Sequence, residues 1–382
     1  MMGPWRDLRV EPVLFGLGLA LLLTGLVAIS SASVEYADWH FQDAWHHTHR
    51  HLMYLLVALA AASLVLLLPL GFWLRTGWAW LLVGLAALVV VLLPGIGKEV
   101  YGAQRWLAIG PFSLQPSEFA KLAILIYLAG YLVRQAREVR QEWSGFIKPA
   151  GVLGLVALLL LAEPDFGATV IIGGMVMGML FLAGARLAPF LTVLGLALGG
   201  LVLLVLAAPY RMQRLTAYTD PWADPYGSGF QLIQSLIAFG RGEWFGVGLG
   251  NSVQKLFYLP EAHTDFVFSI WAEETGFIGA LALIGLFVAL IWRVLQVGRL
   301  AQLGGHEFGA NLCYGVALVY AGQAFVNMGV SAGLLPTKGL TLPFVSYGGS
   351  SLIVSCCMLA LVLRVAMECP APAGAATREA SP

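Results

Sequence analysis

Long, continuous apolar runs dominate this chain and leave few ways for it to fold. Each run is about 18–25 residues long, the length that crosses the hydrocarbon core of a bilayer as a helix, whereas a spanning β-strand needs only about 10 residues of alternating polarity. Of the 382 residues, 59% are hydrophobic and 11% are charged, and soluble domains average about 25% charged residues. The sequence therefore predicts an all-α integral membrane protein.

Ten apolar runs are predicted to be transmembrane helices, and an even number places both termini on the same side of the membrane. The predicted spans are residues 12–32, 52–72, 77–95, 117–134, 147–163, 166–184, 188–208, 266–293, 308–332 and 346–367.

The distribution of lysine and arginine predicts which side of the membrane the termini occupy, because short cytoplasmic loops carry an excess of these residues. The twelve on the N-terminal side are Arg6, Arg9, Arg75, Arg134, Arg137, Arg140, Lys148, Arg186, Arg293, Arg299, Arg364 and Arg378. The four in short loops on the other side are Arg50, Lys98, Arg105 and Lys338. Both termini are therefore predicted to be cytoplasmic.

One long polar connection, residues 209–265, separates the seventh and eighth predicted spans. Connections of this length are uncommon and are usually functional or disordered, and the many aromatic and aliphatic residues here argue against disorder. We interpret it as a folded extracytoplasmic loop that forms part of a site. It belongs to a single polytopic membrane domain, residues 1–368, whereas residues 369–382 are rich in proline, alanine and glycine and are predicted to be a disordered cytoplasmic tail.

The start of the fourth predicted span carries charged residues at membrane depth, where ionisable groups are costly and often functional. Pro116 suits the first helical position, and Gln115 or Ser117 suits a cap. Lys121 follows Glu118 by three residues and so lies on the same helix face. Two interpretations stay open for Lys121, an intrahelical ion pair and a cation that faces a polar cavity. Arg105 is either an interfacial anchor or an anion contact.

Asp265 lies at the mouth of the eighth predicted span, directly after His263 and Thr264. It is either a helix N-cap, a role that Thr264 also suits, or part of a negative site with Glu273, two turns deeper beside Glu274. A divalent cation is a candidate ligand there, although no ligand spacing specifies one.

A third polar cluster precedes the last predicted span. Its members are Asn327, Ser331, Thr337, Lys338 and the run Gly348–Ser351, which includes Ser350. A Gly-Gly-Ser-Ser helix start binds anions through free backbone N–H groups, but small residues also allow close helix packing. Both interpretations stay open.

Together these clusters indicate an anionic ligand on the outer face, such as a phosphate-bearing amphiphile that enters from the lipid. The net charge is zero, which gives no electrostatic basis for binding nucleic acid. Residue chemistry alone leaves an enzyme, a transporter and a membrane scaffold as competing functions.

Several sequence motifs, taken together and in this order, resemble the SEDS family (shape, elongation, division and sporulation proteins). They are Gln104–Trp106, Gln115–Glu118 with Lys121, Glu163–Gly167, Leu259–Phe266, Pro336–Pro343 and Ser346–Ser351. The residues Gly240–Glu243, Gly248–Leu256 and Tyr258–His263 resemble the division-type member more than the elongation-type member. Tyr101, where asparagine is expected, and Ala272–Gly276 depart from the family pattern.

The resemblance implies a ten-helix peptidoglycan glycosyltransferase that polymerises lipid II in the bacterial inner membrane, with its active face outside and at the division septum. It also implies a class B penicillin-binding protein as the transpeptidase partner, and other membrane proteins of the division complex. A lipid II flippase and an elongation-type polymerase are the alternatives.

The expected chemistry is an inverting displacement with Asp265 as the general base. Lys121 and Arg105 are expected to hold the substrate pyrophosphate, and Glu118 is expected to orient Lys121. The further substrate-binding candidates are Arg211, Arg214, His263, Lys338 and Ser350. A divalent cation, Mg²⁺ or Mn²⁺, is expected to share the task at Asp265, and no organic cofactor is expected.

Overall fold

A computed structural model describes residues 11–100, 103–110, 112–206, 212, 216–336 and 339–369 of the chain. Most of these residues are helical. The helices are α1 (Pro12–Phe41), α2 (His46–Leu67), α3 (Leu70–Leu92), α4 (Pro116–Arg134), α5 (Ala136–Gln141), α6 (Ser144–Ala162), α7 (Phe166–Leu182), α8 (Leu187–Leu206), α9 (Phe230–Gly242), α10 (Val267–Leu303), α11 (Glu307–Ser331) and α12 (Gly349–Glu368). A 3₁₀ turn covers Pro221–Ala223.

Nine helices in the described part of the chain are long and apolar enough to cross a membrane. They are α1, α2, α3, α4, α6, α8, α10, α11 and α12. The helix α7 coincides with the sixth predicted span and is apolar, but it has only 17 residues. The helical membrane architecture is therefore confirmed, and the count of ten spans stays a prediction.

The second and third predicted spans are displaced from the helices that form. The spans were expected at 52–72 and 77–95, whereas α2 begins at His46 and α3 begins at Leu70. The polar stretch His46–His51 looks like a loop by hydropathy, yet its backbone is helical. Pro69 occupies the N-cap of α3, where its missing N–H group interrupts no intrahelical hydrogen bond.

A small antiparallel sheet, which the all-α prediction missed, fills the connection between α3 and α4. Its strands are β1 (Gly97–Val100), β2 (Ala103–Ile109) and β3 (Phe112–Leu114), in the order β1-β2-β3. The register pairs Lys98 with Trp106 and Ala108 with Ser113. The sheet ends at Leu114, and Gln115 alone separates it from Pro116, the first residue of α4.

The long connection after α8 contains a helix of its own, α9, which packs against α10 and α11. The buried residues of α9 include Leu232, Ile233, Ser235 and Ala238, the spacing of a helix with one apolar face. The part of the connection described from residue 216 onward is therefore folded, and it contains a helix that the sequence analysis did not predict.

The helix α10 is interrupted at Gly276, where φ is 70° and ψ is −169°. The segment 243–248 satisfies the backbone groups that the break frees. The N–H groups of Phe277 and Ile278 donate to the carbonyl oxygens of Glu243 and Trp244 at 2.8 and 3.2 Å. The eighth predicted span, 266–293, falls within α10, which is long and apolar enough to cross a membrane. The break at Gly276 divides this helix into a short segment, Val267–Thr275, and a longer one.

The helices α4 and α12 form the centre of the molecule. They are mostly buried inside the protein, whereas α8 is almost entirely peripheral. The core joins α4, α11 and α12 through residues such as Leu125, Tyr320 and Val362. Among the functional residues predicted from sequence, Glu118 and Lys121 lie near the start of α4, and Ser350 lies at the start of α12.

Candidate active site

Asp265 lies in the turn that precedes α10, and its side chain is half-buried. The N-cap of α10 is Phe266, whose side chain makes no capping hydrogen bond. Neither Asp265 nor Thr264, the two candidates for the helix cap, occupies the N-cap position, because the first helical residue is Val267. Thr264 instead donates its hydroxyl to Glu261 Oε2 at 2.6 Å.

The carboxylate of Asp265 lies over the backbone of Gly339, in the segment that leads to α12. A methyl group added at Gly339 would lie 3.1 Å from Oδ2 of Asp265. The backbone carbonyl of Asp265 accepts a hydrogen bond of 2.9 Å from Nδ2 of Asn327 in α11. Three distant parts of the chain therefore meet at Asp265.

His263 packs in a cluster of aromatic and imidazole rings that joins α1, α2 and the turn before α10. Its ring centroid lies 5.0 Å from that of His47, 5.2 Å from that of Tyr36 and 5.7 Å from that of Tyr347. Burial lowers the pKa of His263 to about 4, so the imidazole is neutral at pH 7. His263 therefore shapes the site without adding a positive charge to it.

Lys121 forms the intrahelical ion pair that was one of its two interpretations. Its ammonium nitrogen lies 2.9 Å from Oε1 and 3.0 Å from Oε2 of Glu118. Lys121 is 1% exposed and Glu118 is 6% exposed. The ammonium group is therefore enclosed by protein and does not line an open cavity in this conformation.

Arg105 is fixed to the hairpin between α6 and α7. Its Nε donates to the carbonyl oxygen of Glu163 at 2.9 Å, and its Nη2 donates to that of Pro164. This binding holds strand β2 against the hairpin. The charge of the guanidinium group also favours the ionised form of the neighbouring Glu163 carboxyl.

Asp165 connects the starts of α4 and α7. Its Oδ1 accepts from the backbone N–H of Ala168 at 3.0 Å, which makes Asp165 the N-cap of α7. Its Oδ2 accepts from Ser117 Oγ at 3.0 Å and from Gln115 Nε2 at 3.3 Å. The N-cap of α4 is Gln115, whose side chain makes no capping bond, and the side chains of both Gln115 and Ser117 instead bond to Asp165.

Ser350 connects the start of α12 to the start of α4. Its hydroxyl oxygen accepts from the backbone N–H of Gln115 at 2.8 Å. A side chain at Gly349 would overlap the ring of Tyr54, so the small residues here allow close packing. The role of Ser350 in substrate binding stays a prediction.

Glu273 and Glu274 lie away from Asp265, in contacts that fasten the loop 243–256. Glu273 is fully buried and accepts from Ser252 Oγ and from the backbone N–H groups of Val253 and Gln254 at 3.1 and 3.3 Å. Glu274 accepts from Ser31 Oγ at 2.6 and 2.7 Å and pairs with Lys255 Nζ at 3.2 Å. These carboxylates are therefore saturated by protein donors and do not extend the negative site.

The described residues contain no group of three or more His, Cys, Asp or Glu side chains arranged to hold a metal ion. The divalent cation at Asp265 has no further ligands to support it in this part of the chain and stays a prediction. Three predicted substrate-binding residues, Arg211, Arg214 and Lys338, lie outside the described residues.

Sequence reasoning missed two contributors to the site. Asn327 was noticed but given no role, although an asparagine within an apolar helix is a signal of a buried polar contact. The second is His47, whose rings pack against His263. The histidine-rich stretch 46–51 is the sequence signal for it, although the predicted second span begins only at residue 52.

Comparison with known families gives one match that spans nearly the whole chain. The family model FTSW_RODA_SPOVE, described as "Cell cycle protein", matches residues 12–370. A protein named "Probable peptidoglycan glycosyltransferase FtsW" from Hahella chejuensis is 54% identical over 377 residues, which cover 99% of this chain and 94% of that protein. The protein of the same name from Halomonas elongata is 52% identical, with 92% and 88% covered.

Two solved structures share the fold. A chain from a study described as the structural coordination of polymerization and crosslinking by a peptidoglycan synthase complex superposes with a TM-score of 0.73 at 33% identity, covering 94% of this chain and 98% of that one. The crystal structure of the Thermus thermophilus rod shape determining protein RodA gives a TM-score of 0.70 at 29% identity, covering 96% and 99%.

Proposed function

Because the chain belongs to the FtsW/RodA/SpoVE family of cell cycle proteins, we propose that it is a peptidoglycan glycosyltransferase that polymerises lipid II during septal cell-wall synthesis. Relatives named for this activity are about half identical to it over nearly their whole length. The observation that carries the mechanism is the half-buried carboxylate of Asp265, held where α10, α11 and the segment before α12 meet.

The stereochemistry of the reaction sets what the site must supply. The donor sugar of lipid II carries an α-linked pyrophosphate and the glycan product is β-1,4-linked, so one displacement with inversion suffices. The acceptor 4-hydroxyl oxygen forms a bond to the anomeric carbon as the bond from that carbon to the pyrophosphate breaks. A base takes the hydroxyl proton, and the lipid pyrophosphate leaves with the electron pair.

Asp265 is the general base in this scheme. A carboxylate is a suitable proton acceptor when it is fixed within hydrogen-bond reach of the reacting hydroxyl and partly removed from water. The turn 261–266 and the contact with Asn327 fix its backbone, and its partial exposure leaves a side open to substrate. A general base contributes about 10²–10⁴-fold to the rate.

In this scheme Lys121 and Arg105 hold the pyrophosphate, with Arg211, Arg214 and Lys338 as further cations, while Glu118 orients Lys121. Because the Lys121 ammonium group is enclosed with Glu118 in the structure, this role requires the pair to open toward the pyrophosphate when the substrate binds. A continuous set of contacts supports a shared region for these groups. Ser117, in the same turn as Glu118, bonds to Asp165, and the adjacent Gly167 packs against Leu340. Leu340 and Asp265 then share the amide of Asn327 as a hydrogen-bond donor.

The partner in this function is a class B penicillin-binding protein, which crosslinks the strands that the polymerase makes. One similar chain comes from a peptidoglycan synthase complex, which supports such an assembly. The higher identity to proteins named FtsW than to RodA favours the division role over the elongation role. The chain then lies in the inner membrane at the septum, with both termini cytoplasmic and Asp265 outside.

The test is polymerisation of purified lipid II by the purified chain with its cognate penicillin-binding protein, with and without Mg²⁺. We expect glycan chains from the wild type and a loss of at least about 10²-fold in rate for Asp265→Asn. Asp220→Asn, an exposed aspartate of the same loop, is the matched control and keeps its rate. Polymerisation at the normal rate by Asp265→Asn would contradict the assignment of Asp265 as the general base. Movement of lipid II in liposomes without polymerisation would indicate a transporter.

A further inference from the structure

Asn327 is an asparagine with 1% exposure in the last turns of α11. A primary amide in an apolar interior is costly unless it is hydrogen-bonded. The presence of this amide among the buried residues of a membrane helix is therefore explained by its hydrogen-bond partners.

Both hydrogens of the Asn327 amide are donated to backbone carbonyl oxygens. Nδ2 lies 2.9 Å from the oxygen of Asp265 and 2.6 Å from the oxygen of Leu340. Because carbonyl oxygens only accept hydrogen bonds, the amide nitrogen must be the atom that faces them. Oδ1 has no hydrogen-bond partner among the described residues, so the side chain acts here as a donor.

The two carbonyl groups belong to segments that meet at the carboxylate of Asp265. One segment carries Asp265 itself, and the other contains Gly339, whose backbone lies beneath the Asp265 carboxylate. The second segment also reaches the α6–α7 hairpin, since Leu340 packs against Gly167. One side-chain amide thus sets the distance between the carboxylate-bearing turn and the surface on which that carboxylate rests.

From these contacts we propose that Asn327 is a positioning residue for Asp265 and holds its carboxylate at the reacting hydroxyl without touching substrate itself. The proposal rests on the proposed function, in which Asp265 is the base. A displacement of about 1 Å in a reacting group costs roughly 10²-fold in rate. Loss of the amide therefore slows the chemical step and leaves substrate binding largely intact.

If the same two hydrogen bonds only stabilise the fold, the effect of removing them is expected to differ. It lowers the melting temperature and the yield of active protein, but each folded molecule still turns over at its normal rate. Turnover per folded, substrate-competent enzyme separates the two roles, because kcat and KM then report on chemistry and binding individually.

The experiment measures kcat and KM for lipid II polymerisation by the full chain with its cognate penicillin-binding protein, normalised to monodisperse folded protein. The variants are Asn327→Leu, which has a similar volume and no donor, and Asn327→Ser, which is a smaller change. The matched control is Gln323→Leu. Gln323 lies one turn earlier in α11, is 2% exposed, and its Nε2 has no partner within the described residues.

We expect kcat to fall about 10²-fold for Asn327→Leu and to fall less for Asn327→Ser, with KM within about threefold of wild type and Gln323→Leu near the wild-type rate. Wild-type kcat in folded Asn327→Leu, a loss confined to KM, or an equal loss in Gln323→Leu overturns the proposal. If Asn327→Leu does not fold, a normal kcat in Asn327→Ser overturns it.

Asp265→Asn, assayed in the same series, separates failure of this inference from failure of the proposed function. If the Asp265→Asn variant is active, Asp265 is not the general base, and Asn327 then has no base to position. An inactive Asp265→Asn beside a normal Asn327→Leu overturns only the role of Asn327.

Discussion

The ammonium group of Lys121 contacts both carboxylate oxygens of Glu118, at 2.9 and 3.0 Å, in a pair with almost no exposure to solvent. Removing one partner of a buried ion pair leaves a charge without compensation and costs about 3–5 kcal/mol, whereas replacing both partners by apolar residues is often neutral. This asymmetry allows the structural and the chemical contributions of Lys121 to be measured separately.

We expect Lys121→Met alone to lower the stability of the protein by about 3–5 kcal/mol, and the double variant Glu118→Leu/Lys121→Met to recover most of that loss. Polymerisation should stay low in the double variant, because the pyrophosphate has lost a cation that no packing change replaces. Thermal unfolding in detergent and the lipid II assay on the same samples check both statements. A stable double variant with normal activity would show that Lys121 serves the fold alone.

The loop 243–256 depends on the buried pair of Lys255 and Glu274, whose side chains are 5% and 2% exposed. Lys255→Met leaves the Glu274 carboxylate without its cation, so we expect the loop to open more often. Hydrogen exchange of the amides in 243–256 should become faster, while exchange in α11 should not change. Glu243→Gln, at an exposed position of the same loop, is the matched control. Unchanged exchange in Lys255→Met contradicts the assignment of this pair as the fastening of the loop.

Glu163, in the turn after α6, gives the protein a pH dependence of known sign. Its carboxylate oxygens have no hydrogen-bond partner in the described part of the chain, and burial, aided by the charge of Asp165, raises its pKa from 4.5 to about 8. Between pH 4.5 and about pH 8, the Glu163 carboxyl is therefore protonated to a greater extent in the folded state than in the unfolded state. The contribution of Glu163 to stability is therefore full below about pH 4.5 and is lost as the pH rises through about 8.

Glu163→Gln keeps the shape of the neutral acid and removes the titration. We expect the variant and the wild type to melt at similar temperatures at pH 5, and the variant to melt several degrees higher at pH 9. Scanning fluorimetry from pH 5 to pH 9 measures the difference between the two curves, which cancels the other titrating groups. Two parallel curves across this range would mean that Glu163 is ionised throughout.

The sequence predicted those parts of the molecule that depend on local pattern. Apolar length indicated the membrane helices, and Pro116 indicated the first residue of α4. The pairing of Lys121 with Glu118 followed from helical spacing alone, because residues three apart share a face.

The parts that sequence could not predict depend on contacts between distant residues. Asn327 meets Asp265 across 62 positions of the chain, and Ser31 meets Glu274 across 243. The hydropathy pattern also gave no indication of the break in α10, because the residues on both sides of Gly276 are helical. The break is favourable only because the inserted loop accepts the hydrogen bonds that it frees.

Gly276 should be irreplaceable for two independent reasons. Its φ of 70° and ψ of −169° fall in a region that is open essentially to glycine alone, and a side chain there would overlap the backbone of Trp244, Phe245 and Gly246. Any substitution must therefore push the inserted loop out of the break in α10. The N–H groups of Phe277 and Ile278 would then lose their acceptors on Glu243 and Trp244.

We expect Gly276→Ala to lower stability by about 2–4 kcal/mol, from backbone strain of about 1–3 kcal/mol together with the cost of unsatisfied N–H groups. Gly285→Ala in the same helix is the matched control, because a methyl group at Gly285 meets nothing within 4 Å and alanine favours the helix by roughly 0.5–1 kcal/mol. Thermal unfolding of the two variants compares them directly. Equal melting temperatures would mean that α10 runs through position 276 without a break and that the loop 243–248 is not inserted there.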